Sequence, residues 1–241
     1  MISVCLATYN GERFIQRQLE TIIEQLGEDD EIIISDDGST DDTLRIIEGL
    51  HSPLIHVYIN NGEHGYTPNF ENALRYAHGE YIFLSDQDDV WLPRKLEICM
   101  NALKTCDFVV SDALIIDADG NKIFPSFFDK RRHFQGFWGN MLTMGYIGCC
   151  MAFRRKLLER VLPFPSDHRL CTHDNWILLI ALGYYKVKIL DEKLVGYRRH
   201  GRNASVGQNT TSASTYFRLK YRFYLLVHLI GRMFVGYGNK R

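Results

Sequence analysis

Three carboxylates fall within four residues at Asp86-Gln87-Asp88-Asp89, directly after the apolar run of residues 81–84. At the end of a buried strand they repel one another unless a counter-ion is present. Hard oxygen ligands suit Mg2+ or Mn2+, and sites of this kind combine one or two carboxylates with the phosphates of a substrate. The other reading of the same residues is an acidic turn ahead of a helix near Pro93, favoured by the helix dipole. A second cluster, Asp36-Asp37-Gly38-Ser39-Thr40-Asp41, also closes an apolar run. A carboxylate there can accept from a base N–H or a ribose hydroxyl, or Ser39 or Thr40 can cap the next helix. Tyr9, in Thr8-Tyr9-Asn10-Gly11, offers a ring to stack on a base or to fill its own loop.

These clusters need a scaffold that gathers them. Residues 2–7 read as a strand, and Phe14, Ile15, Leu19, Ile22, Ile23 and Leu26 then recur at helical spacing. The unit repeats, with strands at 31–35, 54–59 and 81–84 and helices at 40–50, 69–77 and from about Pro93. Such alternation predicts an α/β fold with a mainly parallel sheet and helices on both faces, where ligands bind beyond the carboxyl ends of the strands. All three polar clusters then share one edge. After residues 108–111 the alternation breaks: 114–123 reads as a hairpin, 175–182 as a helix, 186–190 and 193–197 as strands, 201–214 as a polar loop and 216–235 as a helix.

Composition narrows the class. With 241 residues, 46% hydrophobic, the chain can bury one sizeable core. Its six cysteines form no CxxC pair, which predicts reduced thiols. The first apolar run ends at Ala7, too early for a signal-peptide core, and the least charged stretch, 223–231, is about half a membrane span. Net charge is −1, yet residues 193–241 carry ten Lys and Arg and no Asp or Glu, leaving −11 for residues 1–192. The aliphatic and aromatic content of that basic tail suits a membrane surface better than nucleic acid.

Ala7-Thr8-Tyr9-Asn10, then Asp36-Asp37-Gly38-Ser39-Thr40-Asp41, then Asp86-Gln87-Asp88-Asp89 followed by Pro93, in this order and spacing, resemble glycosyltransferase family 2. The resemblance is specific over residues 4–96 and looser to about 205. It implies the GT-A (nucleotide-diphospho-sugar transferase) fold, Rossmann-like, with a mixed acceptor-side second half. Residues 85–91 and 200–205 are similar to bacterial rhamnosyltransferase-like members, which makes dTDP-rhamnose a candidate donor beside UDP-hexoses.

By that resemblance Thr8, Tyr9, Asn10, Asp36 and Asp37 bind the nucleotide, and Asp86 and Asp88 form a DxD motif holding Mn2+ or Mg2+ and, through it, the donor diphosphate. His200 completes the metal site, and Arg198 meets diphosphate oxygens. In His173-Asp174-Asn175-Trp176 the family has an acidic pair; Asp174 matches the second member and His173 replaces the first. Asp174 is therefore the expected general base of an inverting transfer, unless it only caps the following helix. The loop Gly145-Tyr146-Ile147-Gly148-Cys149-Cys150-Met151 matches the segment between donor and acceptor, implying acceptor contacts at Gly148, Cys149 and Trp176. Phe134, Phe137 and Trp138 are a further candidate stacking surface.

The expected organisation is a GT-A unit of residues 1–205, with a nucleotide-sugar-binding half (1–111) and an acceptor-side half (112–205), then a basic amphipathic tail (206–241). The expected partners are a nucleotide-diphosphate sugar and a glycan or lipid-linked acceptor, with no nucleic acid. The expected location is the cytoplasm, with the tail on the domain or on the cytoplasmic face of a membrane. A sugar-nucleotide pyrophosphorylase would need a Gly-rich basic loop where Thr8-Tyr9-Asn10-Gly11 stands. A non-catalytic scaffold is opposed by Asp88, Asp174 and His200.

Overall fold

The computed structural model describes residues 1–131, 136–200 and 214–234. The first half runs β1 (Ile2–Thr8), α1 (Ile15–Ile23), β2 (Glu31–Asp36), α2 (Thr43–Gly49), β3 (Ile55–Ile59), α3 (Tyr66–Tyr76), β4 (Tyr81–Asp86), β5 (Val90–Trp91) and α4 (Lys95–Leu103). The second half runs β6 (Phe108–Ile116), β7 (Lys122–Phe124), α5 (Phe127–Lys130), α6 (Phe137–Leu142), β8 (Met151–Arg154), α7 (Leu158–Val161), α8 (His173–Tyr184), β9 (Val187–Arg198) and α9 (Thr215–Gly231).

Among the described residues the strands form one sheet in the order β3-β2-β1-β4-β8-β6-β9-β5, with β7 paired to β6. The first four are parallel neighbours, as alternating strand and helix requires. Both faces of β1, β2 and β4 are covered. Val4 and Leu6 of β1, Ile32 and Ile34 of β2 and Phe83 of β4 pack beneath α1, α2 and α4. Cys5, Ile33, Ile82 and Leu84 point the other way, into a core shared with α3 and α8. Burial on both faces explains why these strands read as unbroken apolar runs. In α1 the buried Ile15, Leu19 and Ile22 follow an i, i+4, i+7 stripe, each contributing about 1.5–3 kcal/mol on burial.

The second half differs from expectation in two places. The two strands expected at 186–190 and 193–197 are one strand, β9, in which register against β6 jumps from Ser111↔Leu190 to Asp112↔Lys193. Asp191 and Glu192 bulge out between them, and this acidic pair is what made one strand read as two. β8 enters between β4 and β6, antiparallel to both, after a 3-10 turn at Gly148–Cys150. α9 packs one side on the domain, its Leu225 and Leu229 buried in the α3–α8 core. The expected hairpin at 114–123 is present as β6–β7. Phe134 and residues 201–213 and 235–241, including Arg202, lie outside the described residues.

Candidate active site

Parallel register sets the site's floor. Thr8 at the end of β1 is level with Asp36 at the end of β2, and Ala7 is level with Asp86 at the end of β4. The three polar clusters therefore meet at one carboxyl edge, astride the point where strand order reverses at β1.

The first loop is fastened by Gln87, the middle residue of the DxD motif. Its Oε1 accepts from the Thr8 hydroxyl at 2.6 Å and the Tyr9 N–H at 2.9 Å, and its Nε2 donates to the Tyr9 carbonyl at 3.0 Å. A Cβ on Gly11 would stand 2.3 Å from Gln87 Oε1, so glycine is required for this approach. The Asn10 Oδ1 accepts from the Thr40 N–H at 2.8 Å, joining the first loop to the second. With its backbone held, the Tyr9 ring stands 53% exposed at the edge.

The two acids after β2 divide their work. Asp36 is spent on its own turn, accepting from the Gly38 and Ser39 N–H groups at 3.0 and 2.8 Å and from the Ser39 hydroxyl at 2.5 Å. Asp37 ties the end of β2 to the loop before α3: Asn60 Nδ2 donates to Oδ1 at 2.7 Å and the Gly65 N–H to Oδ2 at 2.8 Å, and His64 Nδ1 lies 3.4 Å from Oδ1. Both acids are buried and shape the loops at this edge.

The acids after β4 separate into two groups. Asp88 Oδ2 and His200 Nε2 are 2.7 Å apart, with both side chains largely buried. Asp86 and Asp89 turn instead toward Cys149, with one ligand atom from each of the three within 4.8 Å of the others. Burial pushes the Asp86 carboxyl up to about 7, reinforced by the charges of Asp88 and Asp174 and opposed by Lys95. Burial raises Asp89 as well, again with Asp88 and Asp86 adding to it. Asp89 Oδ1 accepts the Arg198 N–H at 2.8 Å, while its Oδ2 has no partner among the described residues. The crowding expected of these carboxylates is thus present, and Asp88 with His200 supplies the oxygen and nitrogen donors that a divalent cation takes. The buried thiol beside Asp86 and Asp89 suits such a hard cation less well.

Arg198 departs from its expected role. Its Nε donates to the Asp88 carbonyl at 2.7 Å and its Nη1 to the carbonyls of Asp117 and Ala118, both at 2.9 Å. The guanidinium lies 4.9 Å from the Phe14 ring centroid. This buried guanidinium ties the Asp86–Asp89 loop to the β6–β7 turn through three carbonyls.

Asp174 sits in the first turn of α8, whose N-cap is Thr172. Its Oδ1 accepts from the Thr172 hydroxyl at 2.6 Å and the Asn175 N–H at 2.8 Å. Its Oδ2 has no hydrogen-bond partner among the described residues. Gly148 packs against this turn: a Cβ there would lie 2.7 Å from His173 Nε2 and 3.4 Å from Asp174 Cβ. Trp176 is fully buried, its Nε1 donating to the Val161 carbonyl at 2.8 Å, and so holds α8 in the core instead of touching an acceptor. Cys149 is likewise buried and turned toward the acids, which removes it from the acceptor side. Phe137 packs on Gly183 of α8, whereas Trp138 is exposed.

The model of the family described as glycosyl transferase family 2 matches residues 3–162, which includes all three loops. The chain belongs to glycosyl transferase family 2. This family 2 chain is 28% identical to the dTDP-rhamnosyl transferase RfbG of Shigella flexneri, over 89% of its own length and 78% of the relative's. Among solved structures it resembles S. aureus TarS 1-349 in complex with UDP-GlcNAc (TM-score 0.71, 20% identity, 94% of this chain and 66% of that one). It also resembles the mannosyltransferase PcManGT from Pyrobaculum calidifontis in complex with GDP-Man and Mn2+ (TM-score 0.65, 18% identity, 96% and 73%). The fold is GT-A. The chain spans 66% of the TarS fragment and 66% of another curated relative.

Of two further buried residues at this family 2 site, Lys95 carries no signal in the sequence pattern, whereas His173 stands where the family has its first acid. Lys95, at the start of α4, reads as a solvated helix residue but is fully buried, its Nζ donating to the Cys149 carbonyl at 2.7 Å and lying 4.4 Å from the Trp91 ring centroid. His173 is buried with neither ring nitrogen bonded, stacked on Phe70 at 4.0 Å. Burial lowers its pKa, with Asp174 opposing, so the imidazole beside the expected base is neutral at pH 7.

Proposed function

We propose that the chain is an inverting, metal-dependent transferase that moves a sugar from a nucleoside diphosphate sugar to a hydroxyl of a glycan or lipid-linked acceptor, in cell-surface polysaccharide synthesis in the cytoplasm. The observation that carries this reading is that Asp174, one of whose oxygens has no partner among the described residues, lies near enough for its charge to act on Asp86 beside the Asp88–His200 pair. Gly148 and Cys149, adjacent in sequence, link the two: the glycine packs on Asp174 and the cysteine on Asp86 and Asp89.

Each residue then has a task. The exposed Tyr9 ring stacks on the base, and Asp37 accepts from the base or ribose. Asp88 and His200 would hold a divalent cation, with the charge of Asp86 close by, and the ion when bound supplies positive charge against the diphosphate leaving group. PcManGT, crystallised with Mn2+, supports the choice of metal. Asp174 accepts the proton of the acceptor hydroxyl as that oxygen attacks the anomeric carbon from the face opposite the diphosphate. RfbG is named a dTDP-rhamnosyl transferase, and the TarS and PcManGT structures are complexes with UDP-GlcNAc and GDP-Man, which supports a nucleoside diphosphate sugar as the donor class and leaves its identity to the panel below.

The test is a panel of nucleotide sugars, each with Mn2+ or with EDTA, read by thermal stabilisation and by release of nucleoside diphosphate. One donor is expected to stabilise the chain and to be slowly hydrolysed only with metal. Full hydrolysis or transfer in excess EDTA overturns the metal-dependent reading.

A further inference from the structure

We propose that the outer face of α9 docks on an anionic lipid bilayer. The inference deepens the transfer to a lipid-linked acceptor proposed above and rests on that reading for its purpose, although the binding itself does not require it.

The helix is apolar on two sides. Its inner side is committed to the domain: Leu225 and Leu229 are buried, the Tyr184 hydroxyl donates to the Leu229 carbonyl at 2.5 Å, and the Asn175 amide bonds the Tyr221 hydroxyl. The opposite side carries Tyr216, Leu219, Phe223, Val227 and Ile230, at spacings of three and four that keep them on one stripe. Tyr216 is 77% exposed, Phe223 71% and Leu219 60%, and Val227 and Ile230 are also exposed. Over these fourteen steps the stripe is about 21 Å long. A continuous apolar surface of this kind on a soluble domain marks a site of interaction.

Charge selects the partner. The charged residues of α9 and the short 3-10 turn that follows it are Arg218, Lys220, Arg222 and Arg232; Arg222 and Arg232 bond domain carbonyls, so Arg218 and Lys220 are the exposed cations, and there is no acid anywhere from Lys193 to Arg241. A protein partner calls for a pattern of both signs, whereas anionic headgroups above acyl chains call for an apolar stripe with cations alone. The Arg222 guanidinium donates to the Leu142 carbonyl at 2.8 Å, which brings the end of α6 alongside. That helix exposes Trp138 and Leu142, one turn apart, and tryptophan favours the headgroup boundary. No helix among the described residues is long and apolar enough to cross a membrane, so the contact is one of lying on the surface.

The docked side of α9 reaches the site, because Tyr221 bonds Asn175, the residue after Asp174. A bilayer against the outer side would thus stand in a fixed relation to the expected base.

The experiment uses the full chain with phosphatidylcholine vesicles prepared with and without phosphatidylglycerol. Co-sedimentation is expected only with the anionic vesicles and should weaken as salt rises. The double variant Leu219→Ser, Phe223→Ser should bind anionic vesicles roughly tenfold or more weakly, with melting temperature and metal-dependent donor hydrolysis unchanged, since both side chains already face water. Val227→Ser with Ile230→Ser is the second variant, used if the first melts early. Absence of vesicle binding by the parent chain overturns the proposal, as does equal binding by folded variants. A concentration-dependent dimer lost on the same substitutions also overturns it, because the occupant is then a second copy. Vesicle binding without donor hydrolysis leaves the docking standing and fails the transferase reading instead.

Discussion

His200 Nε2 lies 2.7 Å from Asp88 Oδ2, joining residues 112 apart in the chain across the end of the sheet. Each is placed by an independent bond: Arg198, two residues before His200, donates through its N–H to Asp89 and through Nε to the Asp88 carbonyl. Such a pair is pre-positioned to close on a cation. His200→Ala and Asp88→Asn are each expected to weaken Mn2+ binding by roughly tenfold or more, within the range found when groups that orient a metal are removed. Titration of free Mn2+ by electron paramagnetic resonance reads this directly. Unchanged affinity in both variants removes the pair from the metal site.

Asp86 makes the metal-free fold sensitive to pH. Its folded pKa, raised to about 7 by burial and by Asp88 and Asp174, exceeds an unfolded value near 4. The folded chain therefore binds this proton more tightly, and the stability it contributes is fully present below about pH 4 and lost as pH rises through about 7. Asp89 acts in the same direction. In EDTA the melting temperature is expected to fall between pH 5 and pH 8, and Asp86→Asn should flatten that slope. Added Mn2+ should restore stability at pH 8, where Asp86 is ionised and its charge favours the ion. A melting temperature in EDTA that holds or rises over this interval contradicts the assignment.

The parts of this protein that were legible in its sequence are those whose burial is symmetric. β1, β2 and β4 are covered on both faces, so their central residues, Val4 to Ala7, Ile32 to Ile34 and Ile82 to Leu84, are apolar and run directly into polar loops. The order and spacing of those loops carried the family resemblance, and through it the candidates Asp88, His200 and Asp174. What stayed hidden depends on contacts with backbone. Arg198 looked like a phosphate ligand because the carbonyls that occupy it leave no mark on residue type. Trp176 looked accessible because a polar helix start gives no sign of the Val161 carbonyl waiting behind it. β8 is four residues of Met-Ala-Phe-Arg, too short to show a period, and only the gap between β4 and β6 defines it.

Lys95 illustrates the energetic side of such hidden contacts. A fully buried ammonium is costly unless compensated, and here the Cys149 carbonyl, the Trp91 face and the field of Asp86 share that role. Lys95→Met keeps the length and the apolar stem but strips the Cys149 carbonyl of its donor. A loss of about 1.5–3 kcal/mol is expected in urea denaturation, the range for a hydrogen bond to a charged group. The loss should be larger at pH 8 than at pH 5, because the attraction to Asp86 counts only when that carboxyl is ionised. An unaltered unfolding midpoint at both pH values would falsify the compensation argument.

Asp174 carries the sharpest prediction, since its two oxygens are differently used. Oδ1 takes the Thr172 hydroxyl and the Asn175 N–H, which is a local, structural duty at the start of α8. Oδ2 is left with no partner among the described residues, and that is the oxygen available to an acceptor hydroxyl. Asp174→Asn preserves an oxygen for the local bonds and removes the proton acceptor. Turnover is expected to fall roughly 10²-fold or more, with donor affinity and melting temperature nearly unchanged. Asp174→Ala removes both functions and should add a stability loss of about 1 kcal/mol, comparable to the loss of a helix cap. A purely structural role predicts the reverse pattern, in which the Asn variant is stable and active and the Ala variant is unstable yet still turns over. Measuring donor binding, transfer rate and melting temperature for both variants separates these outcomes, and an Asn variant with full transfer activity would move the base to another residue.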